Sequence, residues 1–358
     1  MAAAPKLAVA MIKKTYIAVV APVYRGEQFV EELCNRLHTT LGQIDASYSI
    51  VLVDDASPDN SWQRIKDEAR KDSRVLGVQL SRNFGQHYAI TAGLDNVDAD
   101  WVVVMDGDLQ DQPEDILTMH EKAVRDGFDV VIAERSLRTD PFLRKMSSAI
   151  FNRFLSLLSG LNLSARYGNF RIMNRNAHQA FAQMREHMRF YPAIMQWIGF
   201  RSGYAQTSRV ARPHGRSSYT LVRLIKLAVQ ATVAYSERPL HVSIVLGLVI
   251  SLAAFILGAY VIAMKLFWNV DVEGWTSLFA TVSFLGGLQI FLLGIVGLYI
   301  GKTFQESKKR PLYLVRERAD GAVNTAILPK PVKALPSAEQ SRPTRRSTAD
   351  RKGFKDNR

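Results

Sequence analysis

The sequence predicts an α/β protein built on a mostly parallel sheet and followed by two helices of membrane-spanning length. Three observations carry that reading. Apolar, β-branched runs alternate with amphipathic segments from residue 15 to residue 135. Two stretches near the C-terminus are almost free of charge, and each exceeds the ~20 residues that cross ~30 Å of hydrocarbon. Three aspartates crowd the end of one apolar run, which is where ligands collect in open α/β sheets.

Residues 1–14, "MAAAPKLAVAMIKK", form an N-terminal extension whose lysines follow the apolar residues instead of preceding them, so it does not read as a secretory signal. The repeating units come next. "YIAVVAPVY", "YSIVLVDDAS", "VLGVQLS", "WVVVMDGD" and "DVVIAER" have the length and β-branched content of strands buried on both faces, and "EQFVEELCNRLHTTL" and "NSWQRIKDEARKD" have helical periodicity between them. Neither G-x-G-x-x-G nor G-x-x-x-x-G-K-[ST] follows the first strand, which argues against a dinucleotide or P-loop site. Residues 140–218 read as more helical and strongly basic, and a domain of residues 15–218 is expected.

The run "WVVVMDGDLQDQPEDI" sharpens the functional question. Asp111 to Asp115 suit the start of a helix near Pro113. Asp106 and Asp108 lie upstream of it, separated only by Gly107, and would repel each other without a positive partner. Two carboxylates, a divalent cation and a diphosphate make a consistent set, because hard oxygen ligands suit magnesium or manganese shared with substrate phosphates.

The C-terminal third is organised by hydropathy and charge. The stretch "YTLVRLIKLAVQATVAYS" places apolar residues on one stripe with Arg223 and Lys226 off it, and residues 219–240 are expected as an amphipathic juxtamembrane helix. Spans are expected at residues 241–267 and 276–301, joined by the short acidic loop "WNVDVEGW". Arg238 precedes the first span, and Lys302, Lys308, Lys309 and Arg310 follow the second, so both long flanks and both termini are expected in the cytoplasm. Residues 302–320 read as a basic juxtamembrane segment and residues 321–358 as a disordered basic tail. From Lys302 onward there are 15 Lys plus Arg against 6 Asp plus Glu, so most of the formal +13 charge lies there. The tail lacks the interleaved aromatics of a nucleic-acid surface and suits an anionic lipid leaflet instead. A single cysteine, Cys34, excludes an internal disulfide and a cysteine-rich zinc site.

Three stretches resemble the family 2 glycosyltransferases of the dolichyl-phosphate mannose synthase and bacterial undecaprenyl-phosphate glucosyltransferase type. They are "VVAPVYRGEQFVEEL", "IVLVDDASPDNSW" and "LSRNFGQHYAITAGLDNVDADWVVVMDGDLQDQPEDI". The resemblance implies a GT-A fold (Rossmann-like, mostly parallel), a nucleoside-diphosphate sugar donor with UDP-glucose foremost, Mg2+ or Mn2+, and inverting transfer to a polyprenyl phosphate in the bilayer. It implies that Pro22, Tyr24 and Glu27 line the base and ribose pocket and that Asp54 and Asp55 accept hydrogen bonds from the donor. Asp106 and Asp108 then hold metal and diphosphate with Gln110 beside them, and Arg135, Arg138 and Arg171 hold the acceptor phosphate. Two departures stand out. Asn169 occupies a position that is usually Asp, and Ser218 one that is usually Lys, with Arg216 the nearby replacement charge. GDP-mannose or a UDP-amino sugar as donor, a processive polysaccharide synthase and a non-catalytic membrane scaffold remain as alternatives, and a homo-oligomer is compatible with two spans.

Overall fold

The computed structural model describes residues 15–44, 46–135, 167–207, 236–268 and 274–320. The first half follows the expected alternation: β1 (Thr15–Val23), α1 (Val30–Leu41), β2 (Ala46–Asp54), α2 (Ser61–Lys71), β3 (Val75–Leu80), α3 (Gln86–Leu94), β4 (Trp101–Val104), α4 (Asp115–Asp126) and β5 (Val130–Arg135). Then come β6 (Tyr167–Asn174), α5 (Arg175–Gln183), α6 (Tyr191–Trp197) and β7 (Ser202–Thr207). Two long helices, α7 (Arg238–Trp268) and α8 (Trp275–Ser307), precede a last strand, β8 (Val315–Asp320).

The eight strands of the described residues form one sheet, in the order β7-β5-β6-β4-β1-β2-β3-β8. The β4-β1-β2-β3 block is parallel, whereas β6 runs antiparallel between β4 and β5, and β8 runs antiparallel along β3. The GT-A-like mixed sheet is therefore largely parallel, as expected. The parallel block sends the carboxyl ends of β1, β2, β3 and β4 to one edge.

Both faces of the sheet are covered, which is why the central strands read as continuous apolar runs. On one face Ile17, Val19 and Ala21 of β1 pack with Leu33 and Leu37 of α1, Ile65 of α2 and Met119 of α4. On the other, Ala18 and Val20 pack with Ala89, Ile90 and Leu94 of α3, Phe181 of α5 and Tyr191 of α6. Helix α3 lies unusually close to the sheet. A Cβ at Gly93 would stand 2.2 Å from Val20 Cγ1 and 3.1 Å from Val53 Cγ2.

Three elements differ from the sequence expectation. Residues 140–218 read as more helical than the preceding units, and the described part, residues 167–207, includes the strands β6 and β7 besides two helices. The period-2 signal of β6 is hidden because its second face carries Asn169 and Arg171, polar groups that are nonetheless buried. Strand β7 buries only Gly203, Ala205 and Thr207, residues too small to announce a strand. The third difference lies in residues 302–320, where the last turns of α8 and the strand β8 replace a plain juxtamembrane segment. "VRERAD" is a charged edge strand, whose open side meets water and needs no apolar pattern. Trp62 Nε1 donates to Glu317 at 2.9 Å and Lys66 pairs with the same carboxylate at 3.7 Å.

Helices α7 and α8 have 31 and 33 residues, or about 46 and 50 Å at ~1.5 Å per residue. Both are long and apolar enough to cross a membrane. Among the described residues most of their side chains are exposed and none is buried, unlike those of a core helix in a soluble domain. Tyr299 Oη of α8 donates to Ser236 O, just before α7, at 2.8 Å. Leu240 and its two predecessors, expected at the end of a juxtamembrane helix, form the first turn of α7, Ser236 and Glu237 precede it outside any helix, and residues 219–235, the N-terminal extension and the 321–358 tail lie outside the described residues.

Gly93→Ala should test the close approach of α3. Overpacking of this kind costs about 1–3 kcal/mol, and a Tm lowered by several degrees in thermal unfolding is the expected result; an unchanged Tm would show that Val20 and Val53 yield freely.

Candidate active site at the carboxyl edge of the sheet

The loops leaving β1, β2, β3 and β4 meet at one edge, and each is braced by a carboxylate. Glu27, after β1, accepts from the backbone N–H of Asn60 at 3.3 Å and from its side-chain amide at 3.2 Å. Asp59 returns the bond, accepting the Glu27 amide at 3.4 Å and the Ser61 hydroxyl at 2.6 Å. Arg25 and Gly26 donate to the hydroxyls of Ser57 and Ser61. The first two loops are thus tied into one wall, with Pro22 at the end of β1 and Tyr24 half exposed beside it.

Asp54 and Asp55 lie deeper. Asp54 is fully buried and accepts from Ser57 N at 3.2 Å and Gln79 Nε2 at 3.1 Å. Asp55 takes the backbone amides of Phe84 and Gly85, each at 2.8 Å, one on each oxygen. Burial raises the pKa of both carboxyls, and these hydrogen bonds oppose the rise. Gly85 has φ +104, a conformation suited to glycine, which turns its amide onto Asp55.

Gln86 follows directly and opens α3. Its Nε2 donates to Asp106 Oδ1 at 2.6 Å, and Asn169 Nδ2 donates to the same oxygen at 3.2 Å. The strand register explains the second bond. Val104 of β4 pairs with Arg171 of antiparallel β6, so residues two further along β4 and two earlier on β6 come level. Asp108 accepts the amide of Gln110 at 3.2 Å, and Asp111 accepts that of Asp106 at 3.4 Å. Asp111 is therefore buried inside the loop and is not the cap of α4, which begins at Asp115 and is steadied by Arg36 on Glu114 at 2.9 Å. Gly107 presses against the end of β1, where an added Cβ would sit 2.7 Å from Pro22 O. Arg25, Ala56 and Leu109 have positive φ on the loops after β1, β2 and β4, and such backbone strain gathers at functional edges.

Asp106 and Asp108 are the two hard-oxygen groups suited to a divalent cation. Among the described residues no cluster of three or more His, Cys, Asp or Glu forms a metal cage. That donor set fits magnesium or manganese, which fill their remaining positions with water and substrate phosphate.

Beneath Asn169, on the same face of β6, lies Arg171. It is 3% exposed, donates Nη2–H to Gly168 O at 2.8 Å, and lays its guanidinium over the Tyr191 ring at 4.8 Å from the centroid. Its Nε is buried with no hydrogen-bond partner among the described residues, and burial holds its pKa below the usual guanidinium range. Arg189, also buried, donates to Thr91 Oγ1 and Met184 O. His87, packed edge-on to Phe190, is pushed down to about 4 by burial and by the charges of Arg189 and Arg171, so it is neutral at physiological pH. Arg135 ends β5 at the same edge of the sheet, whereas Arg138, Arg216 and Ser218 lie outside the described residues.

The structure thus joins Asp106, Asp108 and Gln110 in one loop and sets Pro22, Tyr24, Glu27, Asp54 and Asp55 around it. Sequence reasoning missed Gln86, His87 and Arg189. The first two stood in plain sight in "NFGQH", but nothing local showed that Gln86 reaches a strand end twenty residues away.

Residues 18–181 match the family described as glycosyl transferase family 2. The chain is 33% identical over 308 residues to "Uncharacterized glycosyltransferase YkcC" of Bacillus subtilis, covering 86% of this chain and 95% of that one. It is 31% identical over 304 residues to "Undecaprenyl-phosphate 4-deoxy-4-formamido-L-arabinose transferase" of Proteus mirabilis, covering 84% and 93%. With "Prophage bactoprenol glucosyl transferase homolog" of Escherichia coli it shares 32% identity over 301 residues, covering 84% and 98%.

Asn169→Asp should place a second carboxylate against Asp106. Like charges at hydrogen-bond distance favour the protonated form, so the acid limb of the pH–rate profile is expected to move upward by about one unit or more. Asn169→Ala, which removes the donor without adding charge, should move the limb in the same direction by less. A profile unmoved by the Asp substitution would mean that these two side chains are uncoupled during turnover.

Proposed function

Because the chain belongs to glycosyl transferase family 2, we propose that it transfers a sugar from a nucleoside-diphosphate donor to the phosphate of a membrane polyprenol, with inversion at the anomeric carbon. One combination supports this reading above all: an internally braced Asp106-Gly107-Asp108 loop on the same chain as two exposed apolar helices. The two relatives with named substrates point the same way, since both names specify a polyprenol carrier while their sugars differ. Glucose from UDP-glucose is the first expectation, and a UDP-amino sugar is the second, favoured by the arabinose-transferring relative.

The chemistry asks little of a base. A phosphate monoester has a second pKa of about 6 and is already a nucleophile near neutrality. Asn169 in place of a carboxylate is therefore compatible with turnover. One phosphate oxygen attacks the anomeric carbon from the face opposite the leaving group, and the bond from that carbon to the diphosphate breaks, its electron pair passing to the diphosphate oxygen. Asp106 and Asp108 would hold magnesium or manganese, which when bound neutralises the charge on the departing diphosphate. Gln86 and Asn169 orient Asp106 before the donor arrives, so no reorganisation is needed during the reaction. Pro22, Tyr24 and Glu27 form one wall of the donor pocket, with Asp54 and Asp55 fixing the loops behind it.

The acceptor phosphate needs cations beside a bilayer. Arg171, whose buried Nε has no hydrogen-bond partner among the described residues, takes that role together with Arg135, Arg138 and Arg216. The charges of Arg238 and of Lys308 to Arg310 flank the two helices, which supports a domain on the cytoplasmic side with the nucleotide sugars.

The deciding experiment offers UDP- and GDP-sugars to the purified protein with undecaprenyl phosphate in detergent and scores label moved to the lipid phase, with and without chelator. Transfer from one donor, lost on chelation, is expected; no transfer from any donor overturns the reading. In the active pair, Asp108→Asn should lose at least ~3 kcal/mol of transition-state stabilisation, a rate loss beyond a hundredfold, while its Tm holds. Activity within tenfold of wild type would place the metal elsewhere.

A further inference from the structure

The chain leaves α8 and returns to the domain at a particular place. Glu306, one residue from the end of α8, accepts the backbone N–H of His187 on both oxygens, at 2.9 and 3.1 Å. The carbonyl of the same His187 accepts the hydroxyl of Tyr88, in the first turn of α3, at 2.6 Å. Seven residues past Glu306, Tyr313 donates its hydroxyl to Asp95 at 2.8 Å, at the other end of α3, where Arg185 grips the same carboxylate through two bonds of 2.8 Å. Leu314 O then accepts Ser81 N at 2.8 Å, and Val315 starts β8 opposite Leu80.

These contacts converge on one short segment. Ser81 begins the loop whose next residues supply the two amides on Asp55 and the Gln86 amide on Asp106. The pairing of β8 with β3 is irregular at Gln79/Leu80, beside the residue whose side chain donates to Asp54. Tyr313, Val315 and Phe84 all pack on the same buried cluster as α3. The segment leaving the second apolar helix therefore holds α3 at both ends and the loop before it at its start.

We propose that residues 306–315 set the geometry of the donor-side loop 81–86, with Glu306 and Tyr313 as positioning residues that act through α3. Membrane attachment and donor binding are then mechanically joined: the position of α8 is transmitted to the Asp106 brace. The proposal rests on the sugar-transfer reading for its kinetic arm only.

The test uses the full chain in detergent with Tyr313→Phe, Glu306→Ala and their combination, against Leu37→Val in the core under α1 as a control for general loosening. Amide exchange by mass spectrometry should show faster exchange at residues 81–88 in the variants, by about tenfold over wild type, with little change in the control. The apparent KM for the sugar nucleotide should rise by about fivefold while that for polyprenyl phosphate stays within about twofold. Unchanged protection at residues 81–88 in the double variant overturns the proposal whatever the kinetics do, and so does an equal rise in both KM values. If the wild-type protein transfers no sugar, the functional reading fails, and the exchange measurement alone still decides this inference.

Discussion

Seven carboxylates gather at one edge of the sheet, and each is met by an N–H donor from the chain: Glu27, Asp54, Asp55, Asp59, Asp106, Asp108 and Asp111. A cluster of like charge at a strand end is held together only if its oxygens are turned to donors, and here most of those donors belong to the loops themselves. Acid and loop therefore fix one another. The arrangement also orders them by depth, since Asp54, Asp55 and Asp111 are buried braces while Asp106 and Asp108 stand nearer the surface. A site that binds a cation and a diphosphate needs this division, in which buried carboxylates give shape and the outer pair gives charge.

The other face supplies the complementary sign. Arg171 and Arg189 lie under the same edge, each on a ring and a backbone carbonyl, and Arg189 also faces Glu186 at 4.0 Å. Stacking on Tyr191 and Phe181 satisfies the flat faces of the two guanidinium groups, which helps them persist in the interior. Burial, together with the charges of Arg189 and Arg171 beside it, holds the pKa of His87 low.

Much of this was legible in the sequence because it depends on local signals. The strand-helix alternation, the acid run after β4 and the two apolar helices follow from periodicity, composition and length, and Asp106, Asp108 and Gln110 come together because they share one loop. What escaped depends on partners far apart. Gln86 finds Asp106 only once β4 and α3 are packed, and Asn169 finds it only through antiparallel pairing of β6. The buried side of β6 carries an amide and a guanidinium, which masks a strand that burial alone would have revealed. For β8 the difficulty was its charge, since an edge strand facing water looks like a linker.

Strand β8 also imposes an order of assembly. Trp62 meets Glu317 across 255 positions of sequence, and between them lie both apolar helices. Domains take shape from the N-terminus as the ribosome delivers them, so β3 emerges with one side unpaired and keeps that open edge until α7 and α8 have been synthesised. The final rung of the sheet is laid last. Biogenesis of the catalytic edge is thereby tied to translation through both hydrophobic segments, and a product truncated before β8 would carry every aspartate of the site on a sheet whose flank is still open to other chains.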